Sequence, residues 1–466
     1  MPPSAPDQSD YPSIPSTITR LRSLSQQDVQ PLWHQSPEPC PELSLPLHHN
    51  AWQSWPRVCL NSRQHIAWQR GHSLLWLHQR FTWPQDLNGY PLAGHTAKLA
   101  LRWWADQAEL YINGDLVHTG DIFDCWTRLP LSDSVIPGQT VTVTLKLLSP
   151  HHDDGALVNS RLIFETNNAN YPEPGFVADE LAILDMYATK FAPEHLPRIA
   201  SSVEQLAWQS LSSAASFQST LAQLRHSLQP LSTWIKQRTI HCLGHAHLDL
   251  AWLWPIDDTW AAAENTFKSV LQLQQEFPDL TFSHSSPALF AWLEHHRPEL
   301  FRAIQAQVTA GRWAIDAGLW VEPDLNLPGG EAIARQILYG QRYCLEKFGE
   351  ISAIAWLPDT FGFSWQLPQL LTQGGIRYFA TQKLRWNDTN PFPHHLFSWQ
   401  GLDGTTIPAV TLPPIGADIE PVEMAHYATT WEASTGHLQS LWLPGVGDHG
   451  GGPTRDMLMK IKRWAQ

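Results

Sequence analysis

Two histidines and an aspartate fall within five positions in the stretch GHAHLDLAWLWP, residues 244–255. Side chains of an extended segment alternate between faces, so His245, His247 and Asp249 would share one side. Imidazole nitrogen together with carboxylate oxygen suits Zn²⁺, with the remaining ligands supplied from elsewhere in the fold. The spacing does not choose between His245 and His247. The same pattern also arises where histidines line a strand end, each hydrogen-bonded and inert.

Three other stretches carry chemistry. In WLPDTFGFSWQLPQLL, Asp359 follows an apolar run and precedes a glycine and a helical pattern, so its carboxylate is expected near a helix N-terminus, where negative charge is favoured. A lone Asp there is ordinarily an N-cap, but Phe361 and Trp365 crowd this one, which suits a buried nucleophile or metal ligand better. GVGDHGGGPT, residues 445–454, offers Asp448 or His449 at the tip of a glycine loop. It lacks the spacing and the Lys-Ser/Thr pair of a phosphate loop. GLWVEPD supplies Trp320, Glu322 and Asp324 for stacking and hydroxyl recognition, although acidic residues on a loop are usually only solvated.

The elements that must position these residues read as follows. Residues 1–45 are rich in Ser, Pro and Gln without periodicity and read as a mobile or loosely packed arm. Residues 46–165 read as a β-sandwich domain: Asn113-Gly114 stands between two apolar runs, and TVTVTLKL from Thr140 alternates strictly. Residues 166–235 recur at helical steps and read as a connector. From 236 to 466 strand and helix patterns alternate, which argues for a parallel sheet, barrel or doubly wound. Asp249, Ser283–Ser286, Trp320–Asp324, Asp359 and Lys383–Asp388 all fall just beyond expected strand ends, where such folds gather their sites.

The 466 residues include 24 Trp and carry a formal charge of -14. An acidic chain without a basic stripe is a poor nucleic-acid binder, and no basic cluster invites an anionic membrane. Aromatic faces in such number fill cores and also stack on sugars. Five scattered cysteines without CxxC spacing suggest neither a disulfide framework nor a Cys-based zinc site. The N-terminus lacks a signal-peptide pattern and no run of about 18 apolar residues occurs, so a soluble cytoplasmic protein is expected.

Taken in order, GHAHLDLAWLWP, GRWAIDAGLWVEPDLNLPGGEAIARQILYG, WLPDTFGFSWQLPQLL, TQKLRWNDTNPFPHHLFSWQGLDGT and GDHGGGPT resemble the α-mannosidases of glycoside hydrolase family 38, cytosolic or vacuolar type. The β-rich region before them is similar to that subgroup's N-terminal domain. The resemblance implies a seven-stranded β/α barrel holding one zinc ion through His247, Asp249 and Asp359, within an α/β chain. It implies a retaining mechanism in which Asp359 is the nucleophile of a covalent glycosyl-enzyme intermediate and Asp448 the acid/base, the two carboxyls standing about 5 to 5.5 Å apart. Trp252 matches an aromatic that packs on the sugar, and Trp320 and Asp324 are further candidates for substrate contact. The expected partner is a mannose-containing oligosaccharide, with a homo-oligomer left open. Family members carry a fourth zinc ligand, a His, on a helical bundle beyond the glycine loop, so this chain, which ends at Gln466, is expected to be an N-terminal portion. The alternatives are a zinc-dependent carbohydrate deacetylase and an inactive mannose-binding module.

Overall fold

A computed structural model describes residues 13–37, 52, 54–121, 125–151, 153–166, 173–252, 254–446 and 451–465. The chain divides into two compact units, Met1–Gln237 and Arg238–Gln466.

The first unit holds two antiparallel sheets of five strands each. Thr140–Leu148 lies central in one of them, and its alternation buries Val141, Val143, Leu145 and Leu147. Gln107–Ile112 and Asp115–Gly120 are joined through Asn113 and Gly114, which adopt φ of 52° and 96°. Two successive positive φ values make the tight hairpin turn whose twist matches the strands, and Asn and Gly tolerate them best. The Ser- and Pro-rich start contributes the helix Ile14–Ser23, capped by the Ser13 side chain, with Ile14, Ile18 and Leu21 buried. These residues share one apolar core with the sheets (Trp33, Trp103, Phe164) and with the helices Pro174–Phe191 and Ala214–Leu228.

In the second unit strands and helices alternate. The helical pattern after the strand Phe282–His284 is two helices rather than one, Pro287–His296 and Pro298–Thr309, broken at Arg297 with φ -141° and ψ 58°. A residue before proline is driven out of the helical region by the ring's Cδ. Helix Ile256–Glu276 packs Phe267 against Phe282, Phe290 and Trp313. Helix Gly330–Phe348 contributes Ile333 and Ile337 to a second cluster with Ala355, Leu371 and Phe379.

The expected seven-stranded barrel is not what these strands form. Among the described residues they make three separate ladders, none closed on itself. Thr239–Cys242 pairs in parallel with Gln439–Pro444, which pairs with Ile415–Ala417. Gly244–His245 pairs with Phe282–His284, and that with Trp313–Ile315. Ile354–Trp356 pairs with Tyr378–Thr381, which pairs with Thr406–Thr411, and Leu396–Gln400 adds an antiparallel edge.

The reason lies in strand length and in backbone between the ladders. The strands run only two to six residues. At Leu243 the chain passes from one ladder to the next: Leu243 N–H donates to Trp442 O and Gly244 N–H to Thr281 O, both at 3.0 Å. Beyond Trp313–Ile315 the backbone at Gly318 (φ 74°) runs as coil against Ile354, so close that a Cβ there would stand 2.8 Å from the Ile354 carbonyl oxygen. Packing without ladder bonds occupies the place where closure would need another pairing.

Within each ladder all strands but one edge run parallel, so they end on one side of it, and the residues singled out by the motifs follow those ends. At the opposite ends, Arg238 just before Thr239–Cys242 is held, largely but not fully buried, in a two-pronged pair with Glu432, Nε to Oε2 at 2.7 Å and Nη2 to Oε1 at 2.8 Å. Removing one partner leaves a buried charge uncompensated. Arg238→Met is expected to lower unfolding free energy by about 3 kcal/mol in urea denaturation, and the Arg238→Met/Glu432→Leu double variant to recover part of that loss.

Candidate metal centre

His247 follows the strand Gly244–His245 and is buried. Its Nε2 lies 3.2 Å from Asp249 Oδ1 and 3.8 Å from Asp359 Oδ2, and its Nδ1 lies 3.6 Å from Glu322 Oε2. Three strand ends thus deliver three carboxylates to one imidazole. Burial alone would lower the His247 pKa, but the hydrogen bond to Asp249 and the charges of Glu322, Asp359 and Asp249 push it up to about 9. A site that raises an imidazole this far is one that attracts positive charge.

The loop carrying Asp249 is built to hold it. Ala251 adopts φ 56°, a left-handed conformation that costs an L side chain about 1 kcal/mol. Fully buried Thr259, on the following helix, accepts from Ala251 N–H at 3.1 Å and donates to the Asp249 carbonyl at 3.0 Å; Trp254 Nε1 donates to the same carbonyl at 3.2 Å. These bonds fix the strained turn, and the turn aims Asp249 back at His247.

Glu322 ties the other side together. Its Oε1 accepts from the Asp359 backbone N–H and from Thr360 Oγ1 at 3.1 Å. Its Oε2 faces His247 and is buried without a hydrogen bond. Burial raises the Glu322 carboxyl above the usual range. Asp359 in turn meets the Lys383 ammonium through Oδ1.

His245 is spent elsewhere. A carbonyl only accepts, so its Nδ1 donates to Ser283 O at 3.1 Å; His284 donates likewise to Ala246 O at 3.2 Å. Burial pushes the pKa of both down to about 3, so they stand neutral in the interior.

Of the residues read from the motifs, the structure brings His247, Asp249 and Asp359 together: one nitrogen and two oxygens, all within 4.8 Å of one another. Trp252 and Phe361 are exposed aromatics. Trp320 instead sets its ring edge-on against Tyr343, at 5.6 Å between centroids. Asp324 caps its own turn, Oδ1 accepting from Asn326 N at 2.7 Å and Leu327 N at 2.9 Å. Asp448 lies outside the described residues; the flanking backbone is pinned, with Val446 N–H donating to Gly451 O at 2.7 Å and Gly451 N–H to Thr266 Oγ1 at 2.8 Å. Motif reading left Glu322 as a loop acid and gave Lys383 no role. Their position after strands was the available signal, but their partners are non-local.

The donor set fits a divalent cation. An ion among Nε2, Oδ1 and Oδ2 would replace the proton that His247 otherwise holds, and Glu322 would keep the ring turned with Nε2 inward.

The family model for the glycosyl hydrolase family 38 N-terminal domain matches residues 237–466. Over those residues, just under half of its length, the chain matches glycosyl hydrolase family 38. It is similar to human Alpha-mannosidase 2C1, 42% identical over 232 residues (49% of this chain, 22% of that protein), and to the Alpha-mannosidase of Saccharomyces cerevisiae, 40% identical over 228 residues (48% and 21%). A solved alpha-mannosidase from Enterococcus faecalis V583 aligns at 21% identity over 49% of this chain and 27% of that one, with a TM-score of 0.38. The chain thus spans about a fifth of the length of the curated relatives it matches.

The expectation of a retaining double displacement is corrected. It needs Asp359 as a free nucleophile facing a second carboxyl about 5 to 5.5 Å away. Here one Asp359 oxygen is engaged by Lys383 and the other points into the cation cluster. A covalent glycosyl-enzyme step is therefore not carried forward for this family 38 segment.

Outer partners of metal-bound histidines typically govern affinity by 10- to 100-fold. Glu322→Gln is expected to weaken divalent-metal binding about tenfold or more, read by titration against a competing chelator, with Asp324→Asn as a control that leaves it unchanged.

Proposed function

We propose that this chain hydrolyses terminal α-mannosides of oligosaccharides with the help of a zinc ion held by His247, Asp249 and Asp359. The observation that carries the reading is that cluster, formed at strand ends inside the segment that matches family 38. One imidazole nitrogen and two carboxylate oxygens suit zinc, with remaining positions open to sugar hydroxyls or water.

When bound, the ion supplies a localised positive charge that grips neighbouring hydroxyls, a basis for selecting mannose with its axial 2-hydroxyl. The chain's own residues do the rest. His247 and Asp249 are held in place by Glu322 and Thr259. Exposed Trp252 and Phe361 offer flat apolar faces to the pyranose ring and help exclude water from it. Lys383 balances the charge of Asp359. We assign to Asp448 the delivery of a proton to the departing glycosidic oxygen, while water adds at the anomeric carbon and releases its second proton to solvent, from which Asp448 is reprotonated; proton transfer of this kind contributes roughly 10²- to 10⁴-fold.

The test is release of 4-nitrophenol from 4-nitrophenyl α-mannoside by the 466-residue chain supplied with zinc. Turnover should fall by roughly 100-fold or more in Asp359→Asn and in Asp448→Asn. It should vanish on chelation and return with zinc. Turnover indifferent to both chelation and Asp359→Asn would overturn the reading, and acetate release from acetylated sugars without mannoside cleavage would move the site to deacetylation.

A further inference from the structure

Lys383 is a lysine in an unusual place. It follows the strand Tyr378–Thr381, its side chain is only 4% exposed, and its ammonium meets Asp359 Oδ1. Two aromatic faces enclose it: its Nζ lies 4.0 Å from the Phe361 ring centroid and 3.2 Å from that of Trp386. Among the described residues no hydrogen bond serves this ammonium beyond the Asp359 contact. A buried ammonium needs a counter-charge, and aromatic faces supply only a partial one. Asp359 is therefore held from two sides. Its Oδ1 belongs to Lys383, and its Oδ2 turns to His247 Nε2 at 3.8 Å, inside the cluster that fits a divalent ion.

We propose that Lys383 is a positioning residue that pins Asp359 through Oδ1, leaves Oδ2 alone for the metal, and holds the affinity for a divalent ion below what the donors themselves would give. This rests on the reading of the cluster as a metal centre. Two like charges that share one carboxylate in a poorly hydrated site repel each other strongly, so the lysine sets an upper limit on how tightly the ion is held. The same contact spares the site the bidentate grip by which a freely rotating carboxylate would close a coordination position. A weaker, more open ion is one that exchanges ligands with sugar hydroxyls.

This role has an opposite sign from a merely structural one. Loss of a structural lysine would loosen the site and weaken metal binding; loss of a repelling one tightens it. The experiment strips the 466-residue chain of metal and titrates it with zinc ion alone against a chromophoric chelator. Lys383→Met and Lys383→Gln are expected to bind zinc at least fivefold more tightly than the unaltered chain, and Lys383→Arg, which keeps the charge, to stay within twofold of it. Trp386→Ala, at a ring that is 61% exposed and so outside the core, lets water reach the ammonium and should tighten binding at least twofold. It serves where the Lys383 variants fail to fold. Unchanged or weaker binding in the Met and Gln variants, or in Trp386→Ala when those do not fold, overturns the proposal. If the unaltered chain and every variant bind no zinc, the metal-centre reading falls and this inference with it. Zinc binding by the unaltered chain without tightening in the variants sinks the inference alone.

Discussion

Three carboxylates converging on one buried imidazole is the constraint around which the second unit is arranged. Asp249, Glu322 and Asp359 stand about His247 at 3.2, 3.6 and 3.8 Å. Such a concentration of negative charge away from water survives only with compensating positive charge. Two sources are visible in the chain, the proton on His247, whose pKa the surrounding carboxylates raise to about 9, and the ammonium of Lys383. A divalent ion would be the third and strongest. Catalysis, in the reading proposed, uses the field that this imbalance creates.

Holding like charges together requires a stiff frame, and the frame is visible in residues that do no chemistry. Thr259 and Trp254 grip the Asp249 carbonyl across a strained turn at Ala251. The glycine-rich stretch lets backbone pass where side chains cannot: a Cβ on Gly445 would lie 2.2 Å from the His245 carbonyl oxygen, and one on Gly244 2.7 Å from the Pro453 ring. Beneath the site, Phe267, Phe282, Phe290 and Trp313 pack edge to face and face to face, so the strand ends above them have little freedom.

Much of this was legible beforehand. Period-two alternation marked Thr140–Leu148, Asn-Gly marked its hairpin neighbour, and the repeated strand and helix patterns of the second unit appear as elements close to where they were read. Helix Ile14–Ser23 was not legible, because its Ser, Thr and Arg residues dilute the apolar positions Ile14, Ile18 and Leu21, and packing against other elements supplies what local propensity does not. The break at Arg297 was hidden by apolar periodicity that continues through Pro298. Closure of the parallel strands into a barrel did not follow either, since alternation specifies that strands are parallel neighbours but not how far each ladder runs.

By itself the sequence determined the donor types and their order: an HxHxD run, an aspartate between an apolar strand and a glycine, a further acid in WVEPD, all at strand ends. Those are local facts, and local chemistry encodes them. Motif spacing left His245 and His247 open; the tertiary structure turns His247 to the carboxylates, spends Asp324 on a turn while Glu322 binds the site together, and gives Lys383 one oxygen of Asp359. Apart from the local turn at Asp324, these depend on which residues meet across 24 to 112 positions of chain, as from Lys383 to Asp359 and from Asp359 to His247. Spacing within a motif carries no information about such meetings; they are set when packed helices and short ladders bring separate strand ends to one place.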